Sequence, residues 1–379
     1  MKLLEVPFVF GKIADFDNFT DRAEEKVRLQ QNFNALINTT IISPRRWGKS
    51  SLVKAAARDA ESQDKKLKIC MIDLFNIRDE AGFYSLLSKQ VIKAASSKWE
   101  ERLKDARAFL SHLRPTITFG NAFTEEVSFD VEWEKVALDP DDVLDLAENI
   151  AKSRGLKLVI CIDEFQSIGG FKDSLAFQRK LRSHWQQHNN ACYCLYGSKR
   201  HMLLDIFSNS SMPFYRFGDI MLLQKIENAQ WAEFVHKRFE DTGKTITLGH
   251  AAYLAELVDN HSYYVQQLAQ QSWLRTEQSC SIEVIDAAFE SMVDQLSLTF
   301  TNLTETLSNK QLNLIKALLD GVKELSSTDT LKNYKLGTSA NVSKLKAALQ
   351  EREIIDITGK DIQILDPVFK HWLSREFFL

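Results

Sequence analysis

The residues with the clearest chemical purpose are the run Ser43-Pro44-Arg45-Arg46-Trp47-Gly48-Lys49-Ser50-Ser51 and, more than a hundred positions later, the pair Asp163-Glu164. The first run follows the apolar stretch Thr39-Thr40-Ile41-Ile42 and opens a helical pattern, which is the Walker A arrangement with Ser43 where the first glycine usually stands. Such a loop turns backbone N–H groups and the positive end of a helix toward phosphate oxygens. Gly48 permits the close approach, Lys49 reaches the β and γ phosphates, and the Ser50 hydroxyl ligates Mg2+. A Gly-Lys-Ser triplet alone is equally a lysine at an ordinary helix start. What separates the two readings is the segment LVICIDEFQ, a second apolar strand ending in two adjacent carboxylates. Asp163 then takes the place that holds the metal through its water shell. Glu164 becomes the base that orients and polarises the water attacking the γ phosphate. Without the loop the pair would read as a solvated helix start; beside it, the two specify a Mg-ATP site.

The elements that must position these groups are legible from the hydrophobic period. Arg22 to Leu36 reads as a helix, and a second begins near Lys49 after the phosphate loop. Lys68 to Leu74, Leu156 to Ile162 and Cys192 to Tyr196 join Thr39 to Ile42 as short runs apolar on both faces, as central parallel strands covered by helices require. From about 98 to 133 a charged helix and two strand-like stretches interrupt the rhythm, and we read them as an inserted hairpin, decorative or partner-binding. Beyond about Lys225 the pattern turns helical, with Asn228 to Phe239, His250 to Val258 and Tyr263 to Glu277, and no strands. The last stretch carries helices at Asn309 to Leu319, Ser327 to Leu336 and Val342 to Arg352. Two short apolar strands around Gly359-Lys360 then complete a winged helix-turn-helix. The expected fold class is α/β, a P-loop NTPase parallel sheet with a helical lid and a C-terminal winged helix. Its expected divisions are a core over 1–224, a lid over 225–304 and the winged helix over 305–379.

Bulk properties exclude several classes. With 44% hydrophobic and 26% charged residues, the chain is neither disordered nor fibrous. A net charge of -3 gives no global attraction to nucleic acid or acidic membranes. Of the five cysteines, Cys70, Cys161, Cys192, Cys194 and Cys280, the first four lie in apolar strand-like runs and all read as free thiols, without the paired spacing of a zinc site. No signal peptide and no run of eighteen apolar residues is found, so the expected location is the cytoplasm and no membrane partner is expected.

SPRRWGKSSL, ICIDEFQSI, LYGSKRHMLLDIF, SMPFYRFGDIMLLQKI and HSYYVQQLAQQ, in that order, resemble the archaeal-type ATPase family of the STAND branch of AAA-related P-loop NTPases. The resemblance runs through nearly the whole chain, and ILDPVFKHWL near the end looks like the family's terminal signature. It implies an ATPase core, a helical lid and a C-terminal winged helix. It further implies that Ser198 is the polar sensor of the γ phosphate and that Phe19, Asp21 and Arg22 line the adenine end. Arg216 would be an arginine acting on phosphate in cis or across a subunit contact, with a salt bridge to a nearby carboxylate as its other reading. Arg45 and Arg46 are either loop-tip cations near phosphate or a surface pair for a neighbouring domain. The family lid reads His-Pro-Tyr-Tyr where this chain has His261-Ser262-Tyr263-Tyr264. His261 therefore turns toward the nucleotide or serves as a core or capping residue.

The expected function is a slow ATPase in which ATP bridges core and lid and hydrolysis loosens the bridge, moving the winged helix. The expected cofactors are ATP and Mg2+. A protein partner or self-association through the winged helix or the insertion is expected, with DNA as the other occupant. The first alternative is a DNA-associated ATPase built like an origin-recognition initiator, reading duplex with Lys344, Lys346 and Arg352, and with Lys332 and Lys335 on the preceding helix. Glu351 and Glu353 dilute that patch. The second alternative is a nucleotide-binding adaptor without hydrolysis, which would have no need of Glu164.

Overall fold

The computed structural model describes residues 6–11, 22–96 and 139–378. The expected insertion at 98–133, together with Phe19 and Asp21, lies outside them. Contacts divide the chain into two compact units, one of Arg22–Arg45 with Lys49–Gln224, the other containing Lys225–Leu379, Arg46–Gly48 and the N-terminal segment.

The first unit is a five-stranded parallel sheet. In chain order its strands are β1 (Thr39–Ile42), β2 (Leu67–Asp73), β3 (Lys157–Asp163), β4 (Ala191–Gly197) and β5 (Asp219–Leu222). Their spatial order is β2-β3-β4-β1-β5, so β4 separates the strand before the phosphate loop from the strand ending in Asp163. Register pairs Asp73 with Asp163, Cys161 with Cys194, and Ile42 with both Gly197 and Leu222. Burial explains the strands: all four residues of β1 and all seven of β4 are buried. Helices of this unit include Ala23–Asn34, Lys49–Gln63, Glu80–Ala95 and Ser174–Trp185. Asp79 and Asp173 start the latter two by accepting backbone N–H groups.

An aromatic cluster fixes the end of β3. Phe165, fully buried, follows Glu164 directly and meets Phe214 at 5.3 Å and Phe207 at 5.8 Å between ring centroids. Trp185 stacks on Tyr193 at 3.9 Å and 13°. Anchoring Phe165 in this core sets where the chain leaves the sheet, and so where Asp163 and Glu164 must stand.

The second unit is mostly helical, but not free of strands as the sequence pattern suggests: Thr245–Ile246 pairs in parallel with Ser279–Cys280. Two residues on each side are too few to show a period. Its helices include Asn228–Glu240, Leu248–Leu257, Ser262–Arg275 and a 24-residue helix Ile282–Glu305 that runs to the expected lid boundary. Helices Asn309–Leu319, Thr328–Asn333 and Ser339–Glu351 precede an antiparallel hairpin of Ile355–Thr358 with Asp361–Ile364. Ser308, Ser327 and Thr338 cap the three helices. One continuous apolar core, from Phe8 through Trp231 and Leu268 to Phe369 and Trp372, joins the helical segment to the winged helix. By their contacts the two segments fall within one compact unit. No helix among the described residues is long and apolar enough to cross a membrane.

Candidate functional site

The phosphate-loop residues of the first unit sit at the mouth of β1. Ser43 is fully buried, and the Lys49 ammonium donates to the Ser43 carbonyl at 3.1 Å, to Ser43 Oγ at 3.3 Å and to the Pro44 carbonyl at 2.7 Å. Ser43 Oγ donates to the Pro44 carbonyl at 3.2 Å. Serine in the first-glycine position thus takes part in the loop's own bonding, which a glycine could not do through a side chain. Arg45 is exposed and Ser51 is buried in the first turn of the helix Lys49–Gln63. Gly48 has φ +89°, a conformation that side chains rarely adopt.

The loop and the acidic strand end meet through side chains. Ser50 Oγ donates to Asp163 Oδ2 at 2.8 Å across a sequence separation of 113 residues. Asp163 Oδ1 accepts the Glu164 backbone N–H at 2.8 Å. Burial raises the Asp163 carboxyl above its usual range, with the charge of Glu164 adding to the rise; the bonds from Ser50 and the Glu164 N–H and the charge of Lys49 oppose it. Glu164 holds a left-handed backbone, φ 54° and ψ 37°, an unfavourable state for a residue with a Cβ that the surrounding contacts must sustain.

Ser198, expected to sense phosphate, lies on Glu164, the expected base: its Oγ donates to Glu164 Oε2 at 2.9 Å and its backbone N–H to the same oxygen at 3.4 Å. Gln166 Nε2 donates to that oxygen too. This glutamine stands in the motif ICIDEFQSI, but its spacing in sequence does not reveal the bond. Arg216 is exposed, with φ 52°, and its guanidinium lies 5.1 Å over the neighbouring Tyr215 ring. The salt-bridge reading is not seen: among the described residues Arg216 has no carboxylate partner. Arg22, expected at the adenine end, is buried and bonds Glu25 at 2.9 Å and the Gln224 carbonyl at 2.9 Å.

In the second unit, Arg46 has φ +65° and its guanidinium lies 4.6 Å over the Tyr263 ring. Trp47 lies 5.9 Å from the Lys225 ammonium. His261 is 6% exposed, makes no side-chain cap to the helix it precedes, and leaves Nδ1 without a hydrogen-bond partner. The capping role is therefore not observed. Burial, then the charges of Lys225 and Arg46, hold its pKa down at about 4. Tyr264 donates from its hydroxyl to Asp366, which also caps the helix Pro367–Trp372 through the N–H groups of Val368 and Phe369. In the winged helix, Lys332, Lys335 and Lys344 are exposed, whereas Arg352 donates to the Thr306 carbonyl at 3.1 Å.

The donor set suits the expected ligands. A serine hydroxyl and a carboxylate offer hard oxygens suited to Mg2+, and a lysine ammonium with a glycine-containing loop before a helix suits phosphate.

Residues 298–375 match the family described as "Probable winged helix domain". A Walker-type ATPase of Pyrococcus abyssi is similar in structure, with a TM-score of 0.69 at 17% identity over 97% of this chain and 99% of that one. The Aeropyrum pernix ORC2 protein in its ADPNP-ADP complexes gives 0.55 at 15% over 94% and 95%, respectively. Its ADP form gives 0.55 at 14% over 95% and 93%. No curated protein matches in sequence. At these identities the fold is what is shared, and this chain has the parallel-sheet fold of P-loop ATPases with a C-terminal winged helix.

Proposed function

We propose that this chain is a Mg-dependent ATPase of the STAND branch, and that hydrolysis acts as a conformational switch. The observation that carries the reading is the 2.8 Å bond from Ser50 to Asp163: it brings the two halves of a phosphate and metal site together at the rim of the sheet. Mg2+, when bound, would neutralise charge on the β and γ phosphates. Ser50 and Asp163 would hold it, Asp163 through water. Lys49 exchanges its loop carbonyls for phosphate oxygens, which are stronger acceptors for an ammonium because they are charged. Glu164, oriented at the end of β3, takes a proton from water attacking the γ phosphorus as the bond to the leaving oxygen breaks. A base beside the metal carboxylate favours hydrolysis over a binding-only adaptor.

The experiment is turnover and Mg-ATP binding by wild type and Glu164→Gln. Binding retained and turnover lowered about a hundredfold or more supports the assignment. Equal turnover removes Glu164 as the base, and no binding by the wild type removes the whole reading. The winged helix supports a second reading, a DNA-associated ATPase. Its exposed lysines fit phosphate, but Arg352 is turned to a backbone carbonyl, so a docking surface for protein is the use we favour.

A further inference from the structure

Gln166 has no part in the reaction as described so far. It is 4% exposed, and while its Nε2 donates to Glu164 Oε2, its Oε1 has no hydrogen-bond partner. A methionine of similar length would fill this space without leaving a buried carbonyl unsatisfied. What the amide adds is its donor. The neighbouring strand makes room for it: a Cβ on Gly197 would lie 1.9 Å from Gln166 Oε1 and 3.2 Å from Glu164 Cα. The next residue, Ser198, supplies the second side-chain donor to the same carboxylate oxygen.

Resting on the ATPase reading above, we propose that Gln166 is a positioning residue for hydrolysis: with Ser198 it pins Glu164 Oε2, so that Oε1 is the oxygen presented to the attacking water. A glutamate side chain turns about three bonds, and a base is effective only while it faces its proton. Two side-chain donors on one oxygen, with the Ser198 N–H beside them, fix that direction, and the left-handed backbone of Glu164 sets its origin. Gly197 is required because the amide occupies the place of its side chain.

The test combines turnover, Mg-ATP titration and thermal unfolding without nucleotide for wild type, Gln166→Met, Gly197→Ala, Glu164→Gln and the Glu164→Gln/Gln166→Met double variant. Gln166→Met should lower kcat by about ten- to a hundredfold with KM for ATP changed less than about twofold. Gly197→Ala should reproduce this by displacing the amide. Once Glu164 is glutamine, Gln166→Met should lower turnover no further, and the shifts in unfolding temperature of the two substitutions should not add. A merely structural Gln166 would lower turnover by the same factor in both backgrounds, and that result, or an unchanged kcat in Gln166→Met, overturns the proposal while the ATPase reading stands. If wild type binds Mg-ATP but Glu164→Gln turns it over equally well, the base and its clamp fall together; a wild type that does not bind removes both.

Discussion

Ser50, Asp163, Glu164 and Ser198 hold one another through hydrogen bonds at the C-terminal rim of the sheet, whereas Lys332, Lys335 and Lys344 of the winged helix extend into solvent. The two regions teach different lessons about polar groups. In the first, each group is oriented by the next and partly withdrawn from water, so removing one disturbs several. In the second, each charge is screened and nearly independent, and its effect is small, additive and dependent on salt. A pre-bonded rim encodes one chemistry, while an exposed cationic face leaves its partner open.

The contrast is broken most directly at Lys49. Lys49→Ala should weaken Mg-ATP binding roughly a thousandfold or more, ~4 kcal/mol, in a calorimetric titration; a loss under tenfold would mean that the loop does not work as a unit. His261 sharpens it, being buried yet unbonded at Nδ1. Its pKa is held at about 4 against an ordinary 6.5, so between those limits the unfolded chain binds the proton and the folded chain does not. Stability should therefore fall as pH drops from about 6.5 toward 4 and be flat in this respect above it, and His261→Phe should remove up to ~3 kcal/mol of that slope in denaturant unfolding. Equal slopes in both proteins would show that the imidazole is not excluded from water.

Tyr264→Phe takes one donor from the partly buried Asp366 and should cost about 1–3 kcal/mol in unfolding free energy. A neutral result would place that carboxylate among the independent charges. The smallest effect is expected at the winged helix. Lys344→Glu/Lys346→Glu should leave ATP turnover within about twofold and unfolding within about 1 kcal/mol. In a duplex titration, a tenfold loss with a salt slope lower by about two would move that face to DNA.

Much of this was legible in the residues. The strand at Thr39–Ile42 and the apolar runs of β2, β3 and β4 are identifiable to within a residue or two; in β1, β3 and β4 the reason is that strands buried on both faces need unbroken apolar sequence, whereas β2 is a partly buried edge strand. The 24-residue helix Ile282–Glu305 and the strand pair Thr245–Ile246 with Ser279–Cys280 were not seen. The first mixes Thr, Ser and acidic residues with its apolar stripe, and the second is too short to carry a period. Arg216 and Arg22 illustrate the limit of reasoning by residue type: a guanidinium suits phosphate, carboxylate, carbonyl or ring, and type alone does not choose among them.

What the sequence determined by itself was therefore the chemistry available: a lysine and serine at a helix start, two carboxylates at a strand end, and the periodic patterns that make a sheet, helices and a wing. Such signals act over a few neighbouring residues. Only the tertiary structure decided that β4 lies between β1 and β3, and so brings Ser198 to Glu164. It alone set Gln166 in the space that Gly197 leaves and bonded the exposed Arg352 to the Thr306 carbonyl. These pairings join distant or differently oriented segments, and they follow from strand order and core packing, which local spacing does not contain.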